Sequence, residues 1–419
     1  MMHRTALPSP PVAKRVQTRR EHHGDVFVDP YEWLRDKDSP EVIAYLEAEN
    51  DYTERTTAHL EPLRQKIFHE IKARTKETDL SVPTRRGNWW YYARTFEGKQ
   101  YGVHCRCPVT DPDDWNPPEF DERTEIPGEQ LLLDENVEAD GHDFFALGAA
   151  SVSLDDNLLA YSVDVVGDER YTLRFKDLRT GEQYPDEIAG IGAGVTWAAD
   201  NRTVYYTTVD AAWRPDTVWR YRLGSGESSE RVYHEADDRF WLAVGRTRSN
   251  AYLLIAAGSS ITGQDRFLIL HNDGAVNFTL VEAPVEDPAR QRTLIAHRDD
   301  VRLDAVDALA GHLVVSYRRE ALPRVQLWPI GPDGNYGEPE EISFDSELMS
   351  AGLGPNPNWD SPKLRVGAGS FVTPVRIYDI DLVTGERTLL KEQPVLGGYR
   401  REDYVERRTE TTAPGSRSR

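Results

Sequence analysis

A turn followed by a short apolar run recurs along most of the chain. The runs begin at Leu158 (LLAYS), Thr203 (TVYYT), Tyr252 (YLLIA), Phe267 (FLIL), Leu313 (LVVS) and Leu364 (LRV), so the steps are 45, 49, 15, 46 and 51 residues. Four steps have the period of a β-propeller blade, and one is far too short to hold a blade. Each run has a companion. Residues 172–182 (TLRFKDLRTGE) align with residues 217–227 (TVWRYRLGSGE) at an offset of 45, so Leu173 matches Val218, Leu178 matches Leu223 and Gly181 matches Gly226. The same shape returns near Val276, Val325 and Val375. Turn signals at Asp156-Asn157, Asp200-Asn201 and Thr384-Gly385 separate the strands. Four short antiparallel strands cannot bury both faces alone, so such units stack around an axis.

Counting from Trp89 gives seven run starts. The companions at Val218 and Val276 stand 58 residues apart, where two blades need roughly 90 to 95. Both counts fall short by about 35 residues, and the gap lies at residues 258–265 (GSSITGQD). The pattern predicts a mostly β chain, a seven-bladed type of propeller reduced to about six blades by an internal deletion. Either the remnants fuse into one hybrid blade, or the ring stays open with exposed edge strands.

Upstream the period changes. Residues 1 to 38 read as an extended, Pro-rich lead-in. Ser39-Pro40-Glu41 is a helix start, with Val42, Ile43 and Leu46 on one side. Pro62 restarts a second helix carrying Leu63, Ile67 and Ile71 at i, i+4, i+8. Residues 89–94 and 101–106 make a hairpin, and residues 110–128 are a Pro- and Asp-rich loop. The expected divisions are an arm over 1–75, a propeller over 76–400 and a tail over 401–419.

Composition narrows the function. Ten Trp, 19 Tyr and 12 Phe suit strands and large cores. A net charge of −21 argues against nucleic-acid binding and suits attraction of cationic ligands. No run approaches the roughly 18 apolar residues of a membrane span, and no signal peptide is visible. Cys105 and Cys107 are the only cysteines, and such low usage suits a reducing cytoplasm. Their C-x-C spacing, even with His104, makes neither a disulfide framework nor a zinc site.

Catalytic signals are weak. A nucleophile elbow needs G-x-S-x-G, because small flanking residues permit the strained turn. No serine has Gly at both −2 and +2: Ser260 follows Gly258 but precedes Thr262, and Ser228 follows Gly226 but precedes Glu230. His22-His23 and His142-Asp143 read as surface or turn groups. Asp36, Asp38 and Glu41 serve the helix start. Asp111–Asp114 lacks the glycine and spacing of a calcium loop. Residues 189–194 (AGIGAG) lack the lysine of a phosphate loop. No catalytic or metal-ligating residue is therefore assigned, no cofactor is expected, and substrate-binding residues stay unknown.

Several blocks carry a resemblance. Residues 23–36 (HGDVFVDPYEWLRD), 76–101 (KETDLSVPTRRGNWWYYARTFEGKQY), 131–148 (LLLDENVEADGHDFFALG), 161–182 (YSVDVVGDERYTLRFKDLRTGE), 272–284 (NDGAVNFTLVEAP) and 372–399 (VTPVRIYDIDLVTGERTLLKEQPVLGGY) are similar to the oligopeptidase B branch of the prolyl oligopeptidase family of serine peptidases. The resemblance covers roughly residues 8 to 408. It implies a seven-bladed propeller that admits peptides by size. It also implies a helical arm and an α/β-hydrolase domain with a Ser-Asp-His triad that cleaves after Arg or Lys. The hydrolase domain, on the order of 250 residues, has no counterpart in this sequence.

Three readings follow. The chain is the propeller half of a split serine peptidase, completed in trans by a separate hydrolase chain and handling basic peptides. Alternatively it is a non-catalytic propeller that binds peptides or proteins, or a truncated gene product without function. In each reading the chain alone hydrolyses nothing.

Overall fold

The computed structural model describes residues 9–409, apart from 23, 122–124, 239, 248–249, 258–260, 264–265, 285–286, 288 and 345. The chain divides into two compact units, Met1–Thr75 and Lys76–Arg419.

The first unit holds a hairpin of Thr18–His22 with Asp25–Asp29 and two helices, α1 (Pro40–Thr57) and α2 (Glu61–Arg74). Ser39 occupies the N-cap of α1 in an extended conformation, but its side chain makes no capping bond; Pro40 fixes the first turn instead. Only Val42 is buried in α1, and nothing is buried in α2. The apolar stripe of Ile43, Leu46, Leu63, Ile67 and Ile71 is exposed.

The second unit is a run of antiparallel sheets, each built from consecutive strands. Sheet 1 spans residues 79–134, with Trp89–Thr95, Val103–Pro108 and Gln130–Asp134 behind the short strands Asp79–Leu80 and Thr84–Arg86. Sheet 2 is Ala146–Val152, Leu158–Asp164, Tyr171–Asp177 and Ile188–Ile191. Sheet 3 is Val195–Trp197, Thr203–Val209, Pro215–Arg222 and Glu230–His234. Among the described residues sheet 4 has two strands, Leu242–Arg246 and Leu253–Ala257. Sheet 5 is Ile261–Gly263, Arg266–His271, Thr279–Pro284 and Arg292–Ile295. Sheets 6 (301–341) and 7 (350–392) have four strands each.

Six sheets are thus complete among the described residues, as the repeat count predicts, and the expected blade number holds. The hybrid-blade outcome does not. The runs at 253–257 and 266–271 each pair with a first strand of their own, Leu242–Arg246 and Ile261–Gly263, so they stay in separate sheets. Of the residues around the gap, 258–260 and 264–265 lie outside the described residues.

The apolar runs are the second strands of their sheets, and outside sheet 4 they pack against neighbouring sheets. Leu158–Asp164 is buried at all seven positions. Leu133, Phe145, Leu159 and Tyr161 pack sheet 1 on sheet 2. Phe175, Ile191, Trp197 and Val204 pack sheet 2 on sheet 3. Leu268, Leu280, Leu303 and Leu313 join sheets 5 and 6, and Val314, Val325, Leu364 and Val366 join sheets 6 and 7. Each such fully buried side chain is worth about 1.5–3 kcal/mol. In sheet 4 only Leu242 is buried.

The last sheet meets the first through polar groups. Arg365 and Asp379 are buried and paired, Nε to Oδ1 at 2.8 Å and Nη2 to Oδ2 at 3.0 Å. The remaining Nη1 donates to the Pro83 carbonyl at 2.7 Å. Asn358 donates to the Arg85 carbonyl at 2.9 Å, and Lys391 reaches Asp79 at 2.6 Å. These bonds close the ring between residues about 280 apart in sequence.

Candidate functional site

Strand order decides which residues share a surface. Each described sheet is an up-down meander, so turns between second and third strands lie on the same face as the connections between sheets. The second unit begins at Lys76 and its last strand ends at Glu392, so both ends of the meander fall on that face too. We call it the joining face. Sheet 4, with two strands, keeps the phase because its count is even.

The exposed large apolar residues of the connections gather on the joining face. Phe96, Val166, Trp213, Val276 and Phe371 sit in turns between second and third strands, and Val137 and Phe144 sit in the connection from sheet 1 to sheet 2. Phe371 is 104 % exposed and Val276 85 %. The opposite face carries Tyr252 and Val383. Scattered apolar residues are normal on a surface; a concentration on one face marks an interaction surface.

The loops that hold these residues are built rather than loose. Asp164 ends the second strand of sheet 2, and its Oδ1 accepts from the N–H groups of Val166 and Gly167, both at 2.8 Å. Its Oδ2 accepts from the Glu169 N–H at 2.9 Å. Burial pushes this carboxyl up, but the backbone donors outweigh it and hold it below the usual aspartate range. The Trp213 indole donates to the Asp168 carbonyl at 2.7 Å, and the Arg170 guanidinium lies 4.9 Å over the same ring. These contacts tie the exposed turns of sheets 2 and 3 together.

The candidate chemical groups of the sequence do not converge. His142 and Asp143 are exposed in the turn before Phe144. His22 ends the first hairpin strand, and His23 lies outside the described residues. Asp36, Asp38 and Glu41 are exposed beside the start of α1. In Asp111–Asp114 the carbonyls of Pro112 and Asp114 accept from Arg85 at 2.8 and 2.9 Å, and Arg85 stacks 4.3 Å over Trp115. That acidic loop is thus held by an arginine. Residues 189–191 of the glycine-rich stretch belong to the outermost strand of sheet 2, Ile188–Ile191, and the Ala193 carbonyl accepts from Ser162 at 2.6 Å. Ser228 is exposed in the turn before the last strand of sheet 3, and Ser260 lies outside the described residues.

Cys105 and Cys107 are buried and unbridged. Burial, with Glu129 nearby, pushes their thiols up to about 12 and about 11. His104 Nε2–H donates to the Glu135 carboxylate at 2.7 Å. Among the described residues no three His, Cys, Asp or Glu side chains gather to hold a metal ion. No helix among them is long and apolar enough to cross a membrane.

The joining-face residues escaped sequence reading. Val166 in VVGDER and Phe371 in GSFVTP lie in short turns with no periodic apolar pattern, and only the meander puts them on one face. The usable signal was the strand phase.

Comparison with known proteins agrees with this architecture. The profile described as "Prolyl oligopeptidase, N-terminal beta-propeller domain" matches residues 10–264 and 260–393. The match breaks where the repeat count fails. Dipeptidyl aminopeptidase BI of Pseudoxanthomonas mexicana is 35% identical over 443 positions, covering 95% of this chain and 60% of that protein. Protease 2 of Moraxella lacunata is 29% identical over 94% of this chain and 60% of its own length. The first alignment is longer than the 419 residues of this chain, so that relative carries segments this chain lacks. Among solved structures, oligopeptidase B from Trypanosoma brucei with covalently bound antipain superposes with a TM-score of 0.85 at 30% identity, covering 97% of this chain and 63% of that one. Oligopeptidase B from Leishmania major gives 0.86 at 25% identity, with the same coverage. The chain spans about 60% of the length of the relatives it matches.

Proposed function

Because the chain belongs to the prolyl oligopeptidase family through its N-terminal β-propeller domain, we propose that it is the substrate-admitting propeller of an oligopeptidase B-like serine peptidase. In this reading it hydrolyses no peptide bond by itself. The carrying observation is the joining face, which carries exposed apolar residues and both ends of the second unit's meander. An α/β-hydrolase portion docked there would cover Val166, Val276 and Phe371 and take its peptides through the ring. The net charge of −21 supports basic peptides as the substrate class. The innermost strands, such as ALGAASV and SAGL, are rich in small residues, which leaves room along the axis. Two unbridged cysteines support a reducing, cytoplasmic setting.

The absent G-x-S-x-G supports the lack of chemistry. The test is docking. The hydrolase portion of a relative, produced separately, is mixed with this chain, and the mass in solution is measured. A one-to-one complex is expected, weakened about tenfold or more by Val166→Asp with Phe371→Asp, since two apolar contacts become buried charges. No complex, or one indifferent to both substitutions, would contradict the reading.

A further inference from the structure

Among the described residues sheet 4 stops at its second strand, Leu253–Ala257, where other sheets continue. Thr247 N–H bonds the Tyr252 carbonyl at 3.0 Å, which sets the alternation up the hairpin. With Gly245 opposite Leu254 and Ala243 opposite Ala256, those pairs bond inward. Leu253, Ile255 and Ala257 therefore turn their N–H and C=O groups to the free edge. The segment NAYLLIAA (250–257) contains no Lys, Arg or Pro, the residues that ordinarily guard an edge.

Sheets 3 and 5, its neighbours in chain order, each carry two strands more among the described residues. A second observation agrees. Glu230–His234, the outermost strand of sheet 3, is exposed at all five positions. The outermost strands of sheets 1, 2, 5, 6 and 7 each keep at least one residue half-buried or buried. Among the described residues, none buries this outermost strand of sheet 3.

We propose that this edge is a peptide-binding site that takes one extended segment by strand addition, with apolar residues at alternate positions and Lys or Arg between them. The backbone groups of Leu253, Ile255 and Ala257 supply the ladder. Leu254 and Ile255, exposed at 39 and 40 %, supply apolar contact. The connection EADD (235–238) leads into the hairpin and supplies negative charge, alongside a chain of net charge −21. A second copy of the chain carries the same net charge of −21, so the charge that draws in a basic peptide disfavours self-pairing at this edge. The inference stands on strand counts and does not need the peptidase reading, so its failure would leave the docking test above untouched.

The probe is a fluorescein-labelled peptide of alternating lysine and valine, seven residues long, titrated with the full chain and followed by anisotropy. A version N-methylated at every residue keeps the charge but cannot form the ladder. Ile255→Pro removes the central outward donor at an edge position that tolerates proline; its urea midpoint checks that it folds. The expected result is saturable binding, weakened about tenfold or more by either change, the worth of one or two net hydrogen bonds. Should Ile255→Pro fail to fold, the methylated peptide alone decides. Equal binding of both peptides would mean charge attraction only and overturn the proposal. Self-association of the chain without peptide binding would make a second copy the occupant and overturn it as well.

Discussion

Asp177 and Asp381 occupy the same place in two turns of similar sequence, DLRTGE and DLVTGE. In the first, Oδ1 accepts from the Arg179 N–H at 2.8 Å, and Oδ2 accepts from its guanidinium at 2.7 Å. The arginine, then the backbone donors, outweigh burial and lower Asp177 to about 2. Gly181 and Gly385 follow with φ of 78° and 72°, which only glycine adopts freely. A carboxyl held below its ordinary 3.8 stabilises the fold fully above that value and loses the contribution as pH falls towards 2. Asp177→Asn should therefore lower the urea midpoint at pH 7, and the gap to the parent should close near pH 2. A constant gap across that window would show that the turn does not depend on the charge. The cysteines give a second check at this scale. Buried thiols with raised values are poor nucleophiles. A thiol reagent at pH 8 should label neither Cys105 nor Cys107 in the native chain and both in urea.

At the scale of elements, the weak joint is the closure of sheet 7 on sheet 1. Arg365 is 6 % exposed and Asp379 4 %, so removing one partner strands a buried charge. Asp379→Ala should destabilise by about 3–5 kcal/mol, read from urea unfolding. A change below about 1 kcal/mol would place the pair in effective contact with solvent. A tighter fit lies in sheet 2. A Cβ on Gly148 would come within 2.6 Å of Ser162 Oγ and 2.7 Å of the Tyr171 ring, beside the register shift between Leu147 and Ala149. Gly148→Ala should cost about 1–3 kcal/mol in the same assay. Elements also divide what the sequence discloses. The second strands, such as LLAYSVD, read directly because both faces are buried. The first strands, such as ALGAASV and VTW, carry few large apolar residues and leave no periodic trace. Sheet 4 was legible only as a shortfall in residues, since no local signal says that a strand lacks a neighbour.

At the scale of the molecule, loss of strands in an even number keeps every later sheet in phase. The ring continues through sheets 5 to 7, and Arg365 still meets Pro83. The joining face keeps its apolar residues on one side for the same reason. That face was not legible in the sequence, because Val137, Trp213 and Phe371 come together only through the meander. That no serine here has the flanking glycines of a nucleophile elbow was legible, because the elbow is a local motif. Hydrolysis by the chain alone tests the account most directly. A fluorogenic arginine amide should be cleaved no faster with the chain than in buffer, with or without a serine-directed inhibitor. Cleavage that rises with chain concentration and is abolished by that inhibitor would contradict it.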